Sequence, residues 1–257
     1  MDTIFITGTA GAGKSLLTSK IVQWYEDNKA FPITVNLDPG VVNLPYTPDI
    51  DVRNYINIQE LMSDYELGPN ASLIMAADLA ATKLDELQKE VDVLNPDYVI
   101  VDTPGQLELF VYRNSGPYFV SNLKSDNKVN IFALDGALVS SPINYVAIGL
   151  IAASVRLRLK IAQVDLITKR DLIGQKIAGI LKWGASMTAL EEAIESDIDH
   201  EQISSDYKLL SKAILRSMHR VGVIHSPIIY SNVTMDGIMN LTGALSRIFT
   251  MGEQPYD

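Results

Sequence analysis

The 257-residue chain has no cysteine. Disulfides, cysteine-ligated zinc, iron–sulfur clusters and thiol nucleophiles are excluded together. It has only three histidines, and their spacing fits no metal site. Positive charge is scarce: 21 Lys and Arg against 31 Asp and Glu give a formal net charge of −10. Without a basic field to displace counterions, direct nucleic-acid binding is not expected. Long hydrophobic runs are missing too. The longest, from Tyr145 to Val155, stops at Arg156 and Arg158. It falls short of the ~20 residues of a bilayer span and reads as a buried helix. Asp2 stands where a secretory signal would carry basic residues, so the expected setting is cytoplasmic, without membrane.

What is present points to a globular α/β chain. Hydrophobic residues make up 47% of it, too many for disorder. A chain of this length hides roughly 70–75% of its unfolded surface on folding. Short β-branched runs at 3–7, 33–37, 98–102, 130–134, 159–166 and 227–231 alternate with longer helical patterns. The runs are apolar on both faces, as in a buried parallel sheet. Repeated strand–helix units predict a three-layer αβα fold with a mainly parallel central sheet, one domain over 1–257. Two helical insertions exceed that minimum, at about 53–95 and 172–221. The first reads as two helices broken at Leu67-Gly68-Pro69-Asn70, where the Gly-Pro pair ends the first.

The first strand runs into Gly8-Thr9-Ala10-Gly11-Ala12-Gly13-Lys14-Ser15, a full G-x-x-x-x-G-K-[ST] phosphate-binding loop. Glycines let backbone N–H groups close on phosphate oxygens. The cradle is assigned to Gly11, Ala12, Gly13, Lys14, Ser15 and Leu16, with the helix N-terminus adding partial positive charge. Lys14 supplies a point charge to the β- and γ-phosphates, and Ser15 Oγ is placed to ligand Mg²⁺. Thr9 is neutral where one subclass of P-loop ATPases carries a second lysine.

Two strand ends supply acids. Asp38, in Asn36-Leu37-Asp38-Pro39-Gly40, stands where ligands meet open α/β sheets and could meet Mg²⁺ or water. Asp102-Thr103-Pro104-Gly105-Gln106 follows a hydrophobic run as a Walker-B-like element. Asp102 would hold the metal through water, and Gly105 N–H would meet the γ-phosphate. Gln106 and Glu108 could orient the attacking water. A later strand leads into Thr168-Lys169-Arg170-Asp171, which resembles the [NT]-K-x-D guanine motif. Asp171 can accept from guanine N1–H and N2–H₂, a donor pair adenine lacks. The Lys169 stem would cover the purine face. Ser231 and Asn232 occupy the slot that meets guanine O6.

These motifs, with Gly68-Pro69-Asn70 between them, resemble the GPN-loop GTPases over nearly the whole chain. The resemblance implies a SIMIBI-class P-loop fold, GTP and GDP as ligands with Mg²⁺, and a homodimer. It also implies that the Gly68-Pro69-Asn70 loop reaches the partner's active site, where Asn70 would donate an amide hydrogen bond in trans. Asp38, Gln106 and Glu108 would position the water. Eukaryotic members imply an assembly-factor role for a protein complex such as RNA polymerase, reached through protein contacts. The competing readings are a P-loop small-molecule kinase and a non-catalytic nucleotide-dependent scaffold.

Overall fold

In this computed structural model, residues 1–139, 141–196, 205–220 and 227–251 are described. Strand β1 (Asp2–Gly8) feeds the phosphate loop and helix α1 (Lys14–Asp27). Strand β2 (Pro32–Asn36) is followed by an irregular loop and a two-residue strand β3 (Ile50–Asp51). Helices α2 (Ile58–Asp64), α3 (Pro69–Thr82) and α4 (Leu84–Leu94) lead to β4 (Tyr98–Asp102). Short helices α5 (Leu107–Phe110) and α6 (Ser115–Asn122) precede β5 (Asn127–Asp135) and the long α7 (Pro142–Leu159). After β6 (Ala162–Thr168) come α8 (Arg170–Ile173), α9 (Ile177–Ala185), α10 (Met187–Glu195) and α11 (Ser205–Arg220). Strand β7 (Ile228–Ile229) and α12 (Ile238–Met251) follow.

The sheet order is β3-β2-β4-β1-β5-β6-β7, and every pairing is parallel. Side chains alternate across it. Ile4 and Ile6 of β1 pack with Leu17 and Ile21 of α1 and Leu241 and Leu245 of α12. Phe5 and Phe132 face the other way, toward Leu87 of α4, Phe119 of α6 and Val155 of α7. Each such fully buried side chain contributes about 1.5–3 kcal/mol of hydrophobic stabilisation. This is the expected three-layer αβα architecture. It also puts the carboxyl ends of β1, β2, β4, β5 and β6 on one edge, where the phosphate loop begins.

Several local expectations are corrected. The strand expected over 159–166 starts later, because Leu159 ends α7 and Lys160 turns left-handed at φ 56° to cap it. Strand β3 escaped the sequence pattern, since two residues carry no periodicity. The first insertion holds three helices, not two. Gly68-Pro69 does not end a helix: α2 stops at Asp64, and Pro69 opens α3. A proline suits that first position, where its N–H would have no partner and its φ is already helical. Among its described residues the second insertion is mostly helical; residues 197–204 and Val221 lie outside those described. Helices α11 and α10 are joined by ion pairs: Lys212 pairs with Glu195 and Arg216 with Glu191.

The strands are not apolar throughout. On the α7 face, Thr7 donates to Asn130 (2.8 Å), Asn130 to Gln163 (3.0 Å) and Gln163 to Asp165 (2.8 Å). Arg156 of α7 closes the row 3.7 Å from Asp165. The row satisfies polar groups that burial would otherwise leave unpaired. Helix α7 has the length and composition of a membrane span. Its residues Tyr145, Val146, Ile148, Ala152, Val155 and Leu159 are buried in the core, in accord with the buried-helix reading.

Candidate active site

The phosphate loop is built by close approach. A Cβ on Gly8 would sit 2.0 Å from the Ala133 carbonyl oxygen, so only glycine lets β1 end this near β5. Gly13 turns left-handed (φ 82°, ψ 32°) to start α1, which has no side-chain cap and no acid in its first turn. The helix N-terminus is left electropositive, free for an anion. Within the loop, Ala12 N–H donates to Thr9 O at 3.2 Å.

Lys14 is 6% exposed. Its ammonium donates to the carbonyls of Gly8 (3.1 Å), Thr9 (3.1 Å) and Gly105 (3.0 Å). Burial lowers its pKa, while Asp102 and Asp38 oppose that. Lys14 thus ties the phosphate loop to the segment after β4. Asp38 makes the matching contact from the other side: its carboxylate accepts from Gly40 N–H at 2.9 Å and Gly105 N–H at 3.3 Å. The Gly105 N–H assigned to phosphate is therefore held by a carboxylate, which stands where an anion is recognised.

Asp102 is 1% exposed. One oxygen accepts from the Tyr46 hydroxyl at 3.0 Å. The other, Oδ1, is buried without a hydrogen-bond partner. The Ser15 hydroxyl stands beside the same carboxyl without satisfying that oxygen. Burial pushes the Asp102 pKa up to about 6; Ser15, Tyr46 and Lys14 pull it down, and Asp38 adds to the rise. Burial and the Asp102 charge push the Tyr46 phenol up in turn. Orphaned oxygens of this kind are uncommon in folded proteins. A hard cation is the partner an oxygen pair of this chemistry fits.

The residues assigned to the base lie across the loop. The Ser231 hydroxyl donates to Asp171 at 2.6 Å and in turn accepts from the N–H groups of Val233 and Thr234. Asn232 donates to the Gly13 carbonyl at 3.3 Å, which bonds this group of residues to the phosphate loop. Lys169 is held left-handed at φ 59° and pairs with Asp135 at 2.6 Å. Thr168 is corrected: its fully buried hydroxyl lies within hydrogen-bond distance of two carbonyls, Ala12 O (2.8 Å) and Leu134 O (2.9 Å), and its single proton is shared between them, making it a strut for the phosphate loop rather than a base contact.

Gln106 and Glu108 follow the Gly105 turn at the start of α5. They line a cavity of about 270 Å³ with Asn70, Leu73, Ile74, Leu109 and Arg113 of the same chain. Gly68, Pro69 and Asn70 are exposed at the start of α3, fixed from below by Ser72, which bonds back to Gly68 O at 2.9 Å. Sequence reasoning missed Tyr46, whose only signal is an aromatic between Pro45 and Pro48 in a loop. It also missed Asp51 and Arg53. Their bidentate pair, with Asn36 and the Val41 carbonyl, fixes the loop that carries Asp38. Burial would raise the Asp51 pKa, but Arg53 and Asn36 hold it below the usual range.

The family described as "Conserved hypothetical ATP binding protein" matches residues 6–251. Among curated proteins, the GPN-loop GTPase QQT2 of Arabidopsis thaliana is 33% identical over 85% of this chain and 58% of its own length. GPN-loop GTPase 1 of Dictyostelium discoideum is 30% identical over 86% of this chain and 56% of its own. The chain thus spans under two thirds of these two relatives. The GPN-loop GTPase PAB0955 of Pyrococcus abyssi is 33% identical over 68% of this chain and 70% of its own. The solved apo structure of that protein superposes with a TM-score of 0.82 at 27% identity, covering 96% of this chain and 97% of that one.

Proposed function

The chain belongs to the GPN-loop GTPase family, and from that premise we propose that it hydrolyses the β–γ phosphoanhydride of GTP as a Mg²⁺-dependent, homodimeric switch. The observation that carries the guanine reading is Asp171, aimed by Ser231 at 2.6 Å beside an Asn232 that is bonded to the phosphate loop. Base reader and phosphate cradle form one braced surface, so recognition at one end fixes register at the other. Asp171 needs two donors on the base edge, and adenine would leave it unpaired.

Ser15 and the free oxygen of Asp102 would hold Mg²⁺, with Asp38 close by; bound there, the ion would neutralise charge on the phosphate oxygens. The remaining work falls to the chain. Lys14 exchanges its carbonyl partners for phosphate oxygens. Gly105 N–H leaves Asp38 for the γ-phosphate, which frees Asp38 to orient water. Gln106 and Glu108 support the water from the α5 side. Asn70 sits on an exposed helix start and would donate its amide to developing charge in the partner's site. Positioning and electrostatics suffice, because phosphoryl transfer asks for little proton transfer in its loose transition state. The family analogy extends to a protein-complex client such as RNA polymerase.

Free phosphate release by the purified chain, with GTP and ATP in separate reactions, tests this reading. GTP turnover above the buffer rate, absent with ATP, is expected. Tight GTP binding without phosphate release would replace the reading with a scaffold, and a phosphorylated metabolite without free phosphate would replace it with a kinase. Asp171→Asn should shift preference toward xanthine nucleotides; unchanged selectivity would sink the base assignment.

A further inference from the structure

The loop between β2 and β3 has no regular structure, yet hydrogen bonds place it along its length. Asn36 bonds the Asp38 backbone, Arg53 bonds Val41 O at 3.0 Å, and the Tyr46 hydroxyl bonds Asp102 at 3.0 Å. Tyr46 is half-buried between exposed Pro45 and Thr47. Only this side chain of the Pro45–Pro48 stretch turns inward to the β4 carboxyl. A free carboxylate can rotate and offer both oxygens to one ion. With Oδ2 occupied by a phenolic donor, Oδ1 is the oxygen of Asp102 left without a hydrogen-bond partner.

We infer that Tyr46 is a positioning residue that holds Asp102 with one free oxygen, Oδ1, to offer the cation or its water, and thereby favours Mg²⁺ over Ca²⁺. The inference rests on the Mg²⁺-dependent reading above. The chemistry is that of the two ions. Mg²⁺ demands near-octahedral geometry and takes few protein oxygens, whereas Ca²⁺ accepts more ligands and bidentate carboxylates. A partner that fixes a ligand's orientation is commonly as important as the ligand itself. The same bond ties the Asp38 loop to the ion's own ligand, so loop and cation site are set together.

The test is Tyr46→Phe in the full chain, which removes one hydroxyl and keeps the ring. Retention of a fluorescent GTP analogue is titrated with Mg²⁺, with Ca²⁺, and in EDTA. The variant should need about 10–100-fold more Mg²⁺ for half-maximal retention, as for other lost ligand-orienting partners. Its Ca²⁺ midpoint should move less, and its affinity in EDTA should match the parent. On an Asp102→Ala background, Tyr46→Phe should add nothing. An unchanged Mg²⁺ midpoint would overturn the inference. So would an equal loss of affinity in EDTA, the mark of a loop support alone, or a further loss on the Asp102→Ala background. If the parent chain itself shows no Mg²⁺ dependence, the magnesium reading fails first, which separates the two.

Discussion

Asp102 shows how one buried residue carries opposite demands. Its pKa of about 6, against an ordinary 3.8, means the folded chain prefers the neutral acid, chiefly through burial. A raised carboxyl pKa gives stability that is full below the unfolded value and is lost as pH rises through the folded one. The nucleotide-free chain should therefore lose this contribution between pH 3.8 and about 6. The full shift is worth about 3 kcal/mol. Urea unfolding in EDTA should show Asp102→Asn gaining on the parent as pH rises from about 4 to 7. Parallel pH curves would contradict the burial argument. The cost is accepted because the ionised oxygen is what a cation needs. At the same scale, Thr168 and Ser231 have contacts that their motif alone does not disclose. Thr168 was legible as part of a T-K-x-D loop, but its hydroxyl props the phosphate loop. Ser231 stands in the slot that meets guanine O6, yet its hydroxyl bonds Asp171.

The joint between β1 and α1 depends on glycine at two points for different reasons. Gly13 needs a left-handed turn, and Gly8 needs space against Ala133. The clash at Gly8 is with backbone, which cannot swing aside. Gly8→Ala should cost about 3 kcal/mol or more, beyond the usual overpacking penalty. Gly68 sits at φ −73°, and a Cβ there meets nothing within 4 Å. Gly68→Ala should cost less than about 1 kcal/mol, as for other glycine helix starts. Paired denaturation curves would check both, and equal losses would refute the packing account. The phosphate-loop element was fully legible, since its glycines, lysine and hydroxyl lie within eight residues. The start of α3 was misread because a Gly-Pro pair both stops and starts helices. Which it does depends on where Tyr65 and Glu66 leave the preceding helix.

For the whole molecule the open quantity is the assembly. Asn70 is exposed and shares a cavity with Gln106 and Glu108 of its own chain. In the proposed homodimer each copy would offer its Asn70 to the other's site. Asn70→Ala should lower turnover about 10–1000-fold with little change in KM, as for a donor used only in the transition state. Lys14→Ala should be inactive on its own. Mixing the two variants under conditions of subunit exchange should restore part of the activity, because one mixed site keeps both groups. No recovery despite proven exchange would rule out the trans geometry.

The sequence by itself determined the sheet's parallel class, the phosphate loop, the acids at the ends of β2 and β4 and the base loop. Each is written in residues close along the chain, where strand period, glycine placement and helix start act locally. The tertiary structure alone decided that Tyr46 binds Asp102 across 56 positions, Ser231 binds Asp171 across 60, and Thr168 reaches Ala12 across 156. It also decided that β6 begins only after Lys160 has capped α7. Local propensity carries no information at such separations. These contacts exist because burying the sheet between two helix layers forces buried polar atoms to find partners among whatever the fold brings near.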